Sequence, residues 1–451
     1  MSTVTTQSDR INAGTISPSV TPTKGIRLDT KKISSHLLQS AISIDAKIIK
    51  LYYKQTIELY KKHATPHGLE YQDIPSDFIE GQYRTNIIED VKKFVLKHVV
   101  FDFLVNELVA QKISLTSHPR LTKIDFSLEK PTIYLFDISI AAPVQLKEWK
   151  HFSFKAPKRK RYKDLDKQVS LFLKREHESF KKCDPYMVEK NDWVAFDAKL
   201  LNNKNQPVSI PHSNPLWLKV NSSCVMKPFQ ELFIGKRCGD SFIIEHLPLD
   251  ETFEETISSK NPFFVTVQAI IKGSHFSLES FKTTFKLKNK EDVHNKLIEV
   301  FSYRNDISQR KSTIEEIFHL FFAKHRFEIP KHLVLRKQEQ ILLSLKKHPD
   351  YLVYKTQKEF GERLAMLAEK LLKEEILIDH IAYQENMSAS LKDIRNYLSF
   401  FNTNRLREFV YFKPPFDRIE DTDFPLHESL IKQAVLREKT LNHIIHTLTR
   451  S

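Results

Sequence analysis

Apolar side chains recur at Val293, Leu297, Val300, Phe301, Ile307, Ile314, Ile317, Phe318 and Phe321. That spacing is the i, i+4, i+7 beat of one greasy stripe, and it predicts a single helix from Asn289 to Lys324. Asn289 is placed to cap it, and Asp292 sets a negative charge against the positive end of the peptide dipoles. At a rise of roughly 1.5 Å per residue the run would reach about 50 Å, long enough to act as a spine. It is followed by Phe327-Glu328-Ile329-Pro330. The residue before a proline is driven extended, and proline suits the first turn of a new helix, here Pro330 to Leu345, so the chain turns back along the spine.

The same reading covers the rest of the chain. Residues 1–29 are rich in Ser and Thr and read as a flexible tail. Ile33 to Ile44 reads as extended. Helical periodicity runs from Asp45 to Lys62 and from Pro75 to about Ala110, flanking a loop from His63 to Asp73, and strands follow at Leu121 to Leu128 and Thr132 to Ala141. Asp164 to Lys182 is helical. Strand patterns then take over at Trp193 to Leu200, Leu216 to Val220, Ser241 to His246 and Phe263 to Ile271, separated by Asn-, Ser- and Pro-rich turns. Further helices are expected at Tyr351 to Ile381, at Ser388 to Phe401 with Ser388 as cap, and at Leu426 to Leu448. The expected fold class is α+β and multidomain: a tail (1–29), an N-terminal α+β domain (30–149), a basic linker and helix (150–182), a β-rich domain (183–273) and an elongated helical body with arms (274–451).

Composition narrows the chemistry. The chain has 451 residues, 41% apolar, with eight glycines and 32 phenylalanines. Such a chain can bury real cores, but no GxxxxGK or GxGxxG loop is there to cradle a phosphate chain, so nucleotide chemistry is disfavoured and no cofactor is expected. Cys183, Cys224 and Cys238 lack CxxC spacing, which suggests neither a zinc site nor a disulfide framework and fits a reducing cytoplasm. No secretory leader and no stretch of about 18 apolar residues is found, so neither secretion nor a membrane partner is expected. Seventy basic against 56 acidic side chains leave +14, which invites a polyanionic partner or simply reflects lysine as a surface residue. Lys155 to Lys163 is the densest cluster, with Lys158, Arg159, Lys160 and Arg161 as basic docking candidates or a solvated linker. The aromatics Tyr397, Phe400, Phe401, Phe409, Tyr411, Phe412 and Phe416 either leave apolar surface uncovered or bury one another.

Taken in order, these segments resemble trigger factor, the bacterial ribosome-associated chaperone family. Gly68, Ile74-Pro75, Phe78-Ile79, Tyr83 and Asp90-Val91 are similar to its loop and following helix. Asp192 to Asp197, Pro228-Phe229-Gln230, Ile234-Gly235-Lys236, Gly239 and Phe242 are similar to its FKBP-type module, and Phe327 to Pro330 with Leu333 to the turn between two body helices. The resemblance spans roughly Lys31 to Arg450 at low identity. It implies an ATP-independent chaperone that docks beside the ribosomal exit tunnel, holds nascent or unfolded polypeptides, acts in the cytoplasm and exists as a monomer or weak dimer.

The resemblance also implies sites. Phe400, Phe401, Phe409, Tyr411 and Phe412 are the client-binding candidates, since arbitrary clients need broad apolar area without fixed geometry. The docking loop would be Gly68, Leu69, Glu70, Tyr71, Gln72 and Asp73, where the family's cations are replaced, so that Glu70 and Asp73 repel ribosomal RNA. Prolyl-pocket candidates are Trp217, Val225, Met226, Phe229 and Val265. Ala198 and Pro228 depart from the family's pocket, so peptidyl-prolyl isomerase activity is expected to be weak or lost. The alternatives are an active prolyl isomerase working on free folding intermediates and a basic RNA-binding protein, the latter weakened by the absence of RRM, KH or helix-turn-helix signatures.

Overall fold

The computed structural model describes residues 25–63, 74–114, 119–140, 146, 148–157, 164–182, 186–201, 206–208, 214–220, 227–245, 247, 262–273, 276–304, 307–325, 328–346, 349–401, 405–413 and 425–449. The N-terminal part opens with an antiparallel hairpin, β1 (Ile26–Ser34) and β2 (Leu37–Ile44). It begins earlier than the expected extended segment, because the apolar beat of Ile26 and Leu28 already lines a core face. Helices α1 (Ala46–His63), α2 (Ser76–Val95) and α3 (Phe101–Ala110) follow, the last two joined without a break by a π-helical turn, Leu96–Val100. Strands β3 (Arg120–Asp125) and β4 (Thr132–Ser139) complete an antiparallel sheet of order β1-β2-β4-β3. Strand alternation turns Leu38, Ile42, Tyr134, Phe136 and Ile138 onto the helices, where all are buried. Tyr53 donates to Glu80 at 2.9 Å and Tyr60 to Asp90 at 2.7 Å, clipping α1 to α2.

After α4 (Leu165–Lys182), the chain builds β5 (Trp193–Leu201), β6 (Pro207–Val208), β7 (Leu216–Lys219), the short α5 (Lys227–Glu231), β8 (Ser241–Ile244) and β9 (Phe263–Ile271). Asp192 locks this sheet. Its carboxylate accepts from Lys272 Nζ at 2.7 Å and from the Gly273 amide at 2.7 Å, joining the start of β5 to the end of β9. A side chain at Gly273 would collide with the Asn191 carbonyl, so the close approach requires glycine there.

The last part is helical: α6 (Leu278–Phe285), α7 (Lys290–Phe301), a minimal hairpin of β10 (Tyr303–Arg304) and β11 (Ile307–Ser308), α8 (Gln309–Lys324), α9 (Lys331–Lys346), α10 (Tyr351–Lys355), α11 (Phe360–Gln384), α12 (Leu391–Phe400), β12 (Leu426–His427) and α13 (Glu428–Leu448). The single spine expected from Asn289 to Lys324 is therefore two helices. Ser302 accepts from the Gln309 amide at 2.8 Å across the break, and Ser308 starts a new helix by capping Lys311. The apolar stripe keeps its beat through the hairpin, which is why periodicity alone runs the two together. Asn289 and Asp292 form the capping box. On α12 the cap is Ser390, paired with Asp393, rather than Ser388, because only Ser390 has an acid at the third helical position.

Two features tie the parts together. β12, expected as the first turn of the last helix, instead pairs with β7, giving a sheet of order β12-β7-β5-β9-β8. Asp102 of α3, buried, accepts from Asn214 at 2.6 Å and from Ser429 at 2.6 Å, so one carboxylate bonds the N-terminal helices, the loop before β7 and α13. The N-terminal helices and one face of the second sheet share a continuous core, and the opposite face, with Trp193 and Trp217, packs on α4, α12 and α13.

Candidate functional site

The exposed apolar surface concentrates on one helical hairpin. Helices α9 and α11 pack on each other, and α11 alone continues onto α13. Their base is sealed by Leu333, Leu372 and Ile376, with Ile329 and Val334 against them. Beyond that base, from Val334 to Leu367, no described side chain is buried. Leu343 is 62% exposed, Leu352 73%, Val353 62% and Met366 71%, with Leu335 and Leu367 also open. A two-helix hairpin has no third layer to cover its stripe. Its outer half therefore offers aliphatic side chains, interspersed with charged ones, to water.

Polar bonds fix the base of this hairpin to the rest of the molecule. Lys337 meets Glu375 at 2.6 Å, Arg437 of α13 meets Asp379 at 2.7 Å, and Ser114 donates to Asp379 at 2.6 Å. Arg336 donates to Ser139 at the end of β4 at 2.7 Å. Glu374, fully buried, accepts from Tyr411 at 2.9 Å, while its other oxygen accepts no hydrogen bond among the described residues and stands 3.9 Å from Lys370 Nζ. Burial pushes its carboxyl up to about 7, against the opposing pull of the Tyr411 hydroxyl and Lys370. The hairpin thus combines a rigid, bonded root with an open apolar end.

The client-binding candidates lie elsewhere, and the packing corrects their reading. Phe400, Phe409 and Phe412 are buried. Phe409 stands 5.2 Å from Phe281 and 4.9 Å from Phe285, Phe400 lies 5.9 Å from Phe285, and Phe412 lies 6.5 Å from Phe318. Phe401 is half-buried against Tyr397 and Trp193, and Tyr411 is half-buried with its hydroxyl on Glu374. In this conformation the cluster is core, because α6, α8, α12 and α13 converge on it and each ring covers the next.

The prolyl-pocket candidates are divided. Phe229 and Val265 share the sheet face that carries Phe196 and Phe233. Trp217 is on the opposite face, buried, its indole donating to Glu428 at 3.2 Å. It cannot line the same cup, because neighbouring residues of a strand point to opposite faces and Leu216 and Leu218 occupy the pocket side. Val225 and Met226 lie outside the described residues. Phe233, four residues after Phe229, fills the space: its ring stands 4.9 Å from Phe196, 5.4 Å from Phe229 and 5.1 Å from Phe242. The i, i+4 aromatic pair at α5 was the sequence signal for this plug. Ala198 is buried beside them, and Phe263 at the sheet's end meets the tilted ring of His98 from the N-terminal helices at 5.3 Å.

Gly68, Leu69, Glu70, Tyr71, Gln72 and Asp73 lie outside the described residues, as do Lys158, Arg159, Lys160 and Arg161. Among the described residues, no group of three or more His, Cys, Asp or Glu is placed to hold a metal ion. No described helix is long and apolar enough to cross a membrane.

No protein-family model matches the chain. Several curated proteins do. The trigger factor of Geotalea daltonii is 19% identical over 382 residues, covering 82% of this chain and 86% of that protein. The trigger factor of Geotalea uraniireducens is 20% identical over 388 residues (82% and 86%), and that of Halothermothrix orenii 21% over 391 residues (81% and 87%). A solved structure from a study of promiscuous substrate recognition in folding and assembly by the trigger factor chaperone aligns with 93% of this chain and 99% of its own, at 14% identity and a TM-score of 0.37. Similarity to trigger factors runs through about four-fifths of the chain.

Proposed function

We propose that this protein is a cytoplasmic, ATP-independent chaperone of the trigger factor type that holds nascent or unfolded polypeptides on the open half of the α9–α11 hairpin. The supporting observation is the group of exposed apolar side chains there, Leu343, Leu352, Val353 and Met366 among them, on a root fixed by ion pairs. Leu, Val and Met supply contact area without demanding one geometry, which suits clients of arbitrary sequence. Aggregation suppression tests it. Replacing Leu343, Leu352 and Met366 by Glu together should abolish holding of an unfolded client while leaving the melting temperature of the chaperone nearly unchanged; full holding by that variant would overturn the assignment.

The β-rich module, on this reading, is a degenerate FKBP-type unit with weak or absent prolyl isomerase activity. A proline ring entering the cup has to displace Phe233, which forfeits about 3–5 kcal/mol of aromatic packing. A proline-limited refolding assay should show little acceleration by the intact chain. Docking near the ribosomal exit is assigned to basic side chains around Lys158 to Arg161 rather than to Gly68 to Asp73, since a loop with Glu70 and Asp73 carries the wrong charge for RNA. Salt-dependent cosedimentation with ribosomes that survives replacement of Lys158 to Arg161 by Glu would reject that route.

A further inference from the structure

Between α6, α7, α12 and α13 runs a crevice of about 590 Å³, a volume in the range that holds small ligands. The carboxylates on its walls are all engaged. Asp292 accepts from the amides of Lys288 at 3.0 Å and Asn289 at 3.3 Å, Asp393 pairs with Lys439 at 2.9 Å, Glu299 with Lys296 at 2.8 Å, and Glu438 with Arg310 at 2.9 Å. Three lysines on the same walls are left over. Lys286, Lys288 and Lys392 are exposed, line the crevice, and their ammonium groups have no carboxylate partner among the described residues.

Local helix physics disfavours a cation at each of these positions. Lys286 holds a left-handed backbone (φ 55°) where α6 closes, with the Leu287 amide on the Lys282 carbonyl at 2.9 Å and its own amide on the Thr283 carbonyl at 3.4 Å. Glycine is the unstrained residue in that closure, and Lys282 already sets a positive charge against the carboxyl end of α6. Lys392 stands in the first turn of α12, and Lys288 directly precedes the Asn289 cap of α7. Both are helix ends whose partial charge is itself positive. The capping boxes of Asn289 with Asp292 and of Ser390 with Asp393 engage amides at these ends, so the lysines carry the open donors while the dipoles raise the potential around them. Burial, and after it the charge of Lys286, hold the His443 imidazole on the crevice wall below its usual range, against the pull of Glu385. Local rules broken three times around one crevice mark a place kept for a ligand.

We propose that this crevice binds an oligophosphate chain, whose successive phosphates meet Lys286, Lys288 and Lys392. A lysine ammonium is a point charge on a flexible stem and asks for no bidentate geometry, so a string of adjacent charges suits lysines drawn from two walls better than a compact polycarboxylate does. The site does not depend on the client-holding role of the hairpin. Isothermal titration of the full chain with inorganic triphosphate should give one saturable site, with sulfate and citrate at matched ionic strength each roughly tenfold weaker or more. Lys286→Gly and Lys392→Gln should each weaken triphosphate roughly tenfold, the value of one charge-assisted bond. Both should melt no lower than the wild type, because each removes a local conflict, so lost affinity is not lost folding. Lys346→Gln, at the end of α9 and away from the crevice walls, should bind triphosphate as the wild type does. Absence of saturable triphosphate binding, citrate or sulfate binding as tightly, or an equal loss in Lys346→Gln overturns the proposal. A short oligouridylate that binds more tightly than triphosphate also overturns it, in favour of an RNA strand.

Discussion

Two regions of the helical half treat the same kind of side chain in opposite ways. Around α12, Phe281, Phe285, Phe400 and Phe409 lie with ring centres 4.8 to 6.4 Å apart and all are buried. Along the outer α9–α11 hairpin, Leu343, Leu352, Val353 and Met366 face water. Apolar content does not separate them. The number of elements that converge does: α6, α8, α12 and α13 enclose the aromatic cluster, whereas α9 has α11 as its main partner and, beyond their root, neither helix holds a buried side chain among the described residues. On the proposed reading, stability sits in one place and client contact in another, so that clients need not compete with the core for the same surface.

That contrast can be broken by mutation. The largest effects belong to the enclosed side: Phe409→Ala should cost about 3–5 kcal/mol in denaturant melts, as a large ring lost from a closed core does, whereas Leu352→Ala on the hairpin should stay within about 0.5 kcal/mol. Comparable losses at the two positions would erase the distinction. Arg437→Met removes the cation that Asp379 and Glu375 share at the hairpin root, leaving buried Asp379 with no charge partner beside it and Glu375 with Lys337, and should also cost about 3–5 kcal/mol.

An intermediate effect is expected from Glu374, and it depends on pH. Its carboxyl is pushed up to about 7 in the folded chain from an ordinary 4.5. The folded state therefore binds the proton more tightly, and this contribution is complete below about pH 4.5 and lost as pH rises through about 7. Glu374→Gln, which is neutral throughout, should match the wild type near pH 4.5 and exceed it by on the order of 1–3 kcal/mol at pH 8, read from thermal melts at both pH values. A variant less stable than wild type at pH 8 would mean that the ionised carboxylate, not its neutral form, secures the root through Tyr411. The smallest stability effect is Ser390→Ala, about 1 kcal/mol from loss of the α12 cap, and it should exceed that of Ser388→Ala.

Much of the local structure was legible. Period-two alternation at Thr132 to Ser139 and Phe263 to Ile271, and the 3.6-residue beat at Ala46–His63, Leu165–Lys182 and Glu428–Leu448, correspond to elements that form. The capping box at Asn289 was equally readable, because the two residues that make it are three apart in sequence. The break at Ser302 to Ser308 was not, since a hairpin that preserves the phase of the apolar stripe leaves no trace in periodicity. The open hairpin end could have been inferred from Leu342-Leu343 and Leu352-Val353, apolar pairs set on either side of the polar Lys347-His348-Pro349-Asp350. The aromatic cluster gave the opposite impression, because a count of rings is the same whether they face solvent or one another.

The sequence by itself determined the order of helices and strands, their caps and the family resemblance, all of which depend on residues near one another in the chain or on their order along it. Only the tertiary structure decided which apolar face is covered: that Phe409 meets Phe281 across 128 positions of chain, that Trp217 turns away from Phe229, and that Leu426 and His427 leave the last helix to extend a distant sheet. Burial is a property of convergence in space, and helical periodicity specifies only the face that a segment offers, not whether another element arrives to meet it.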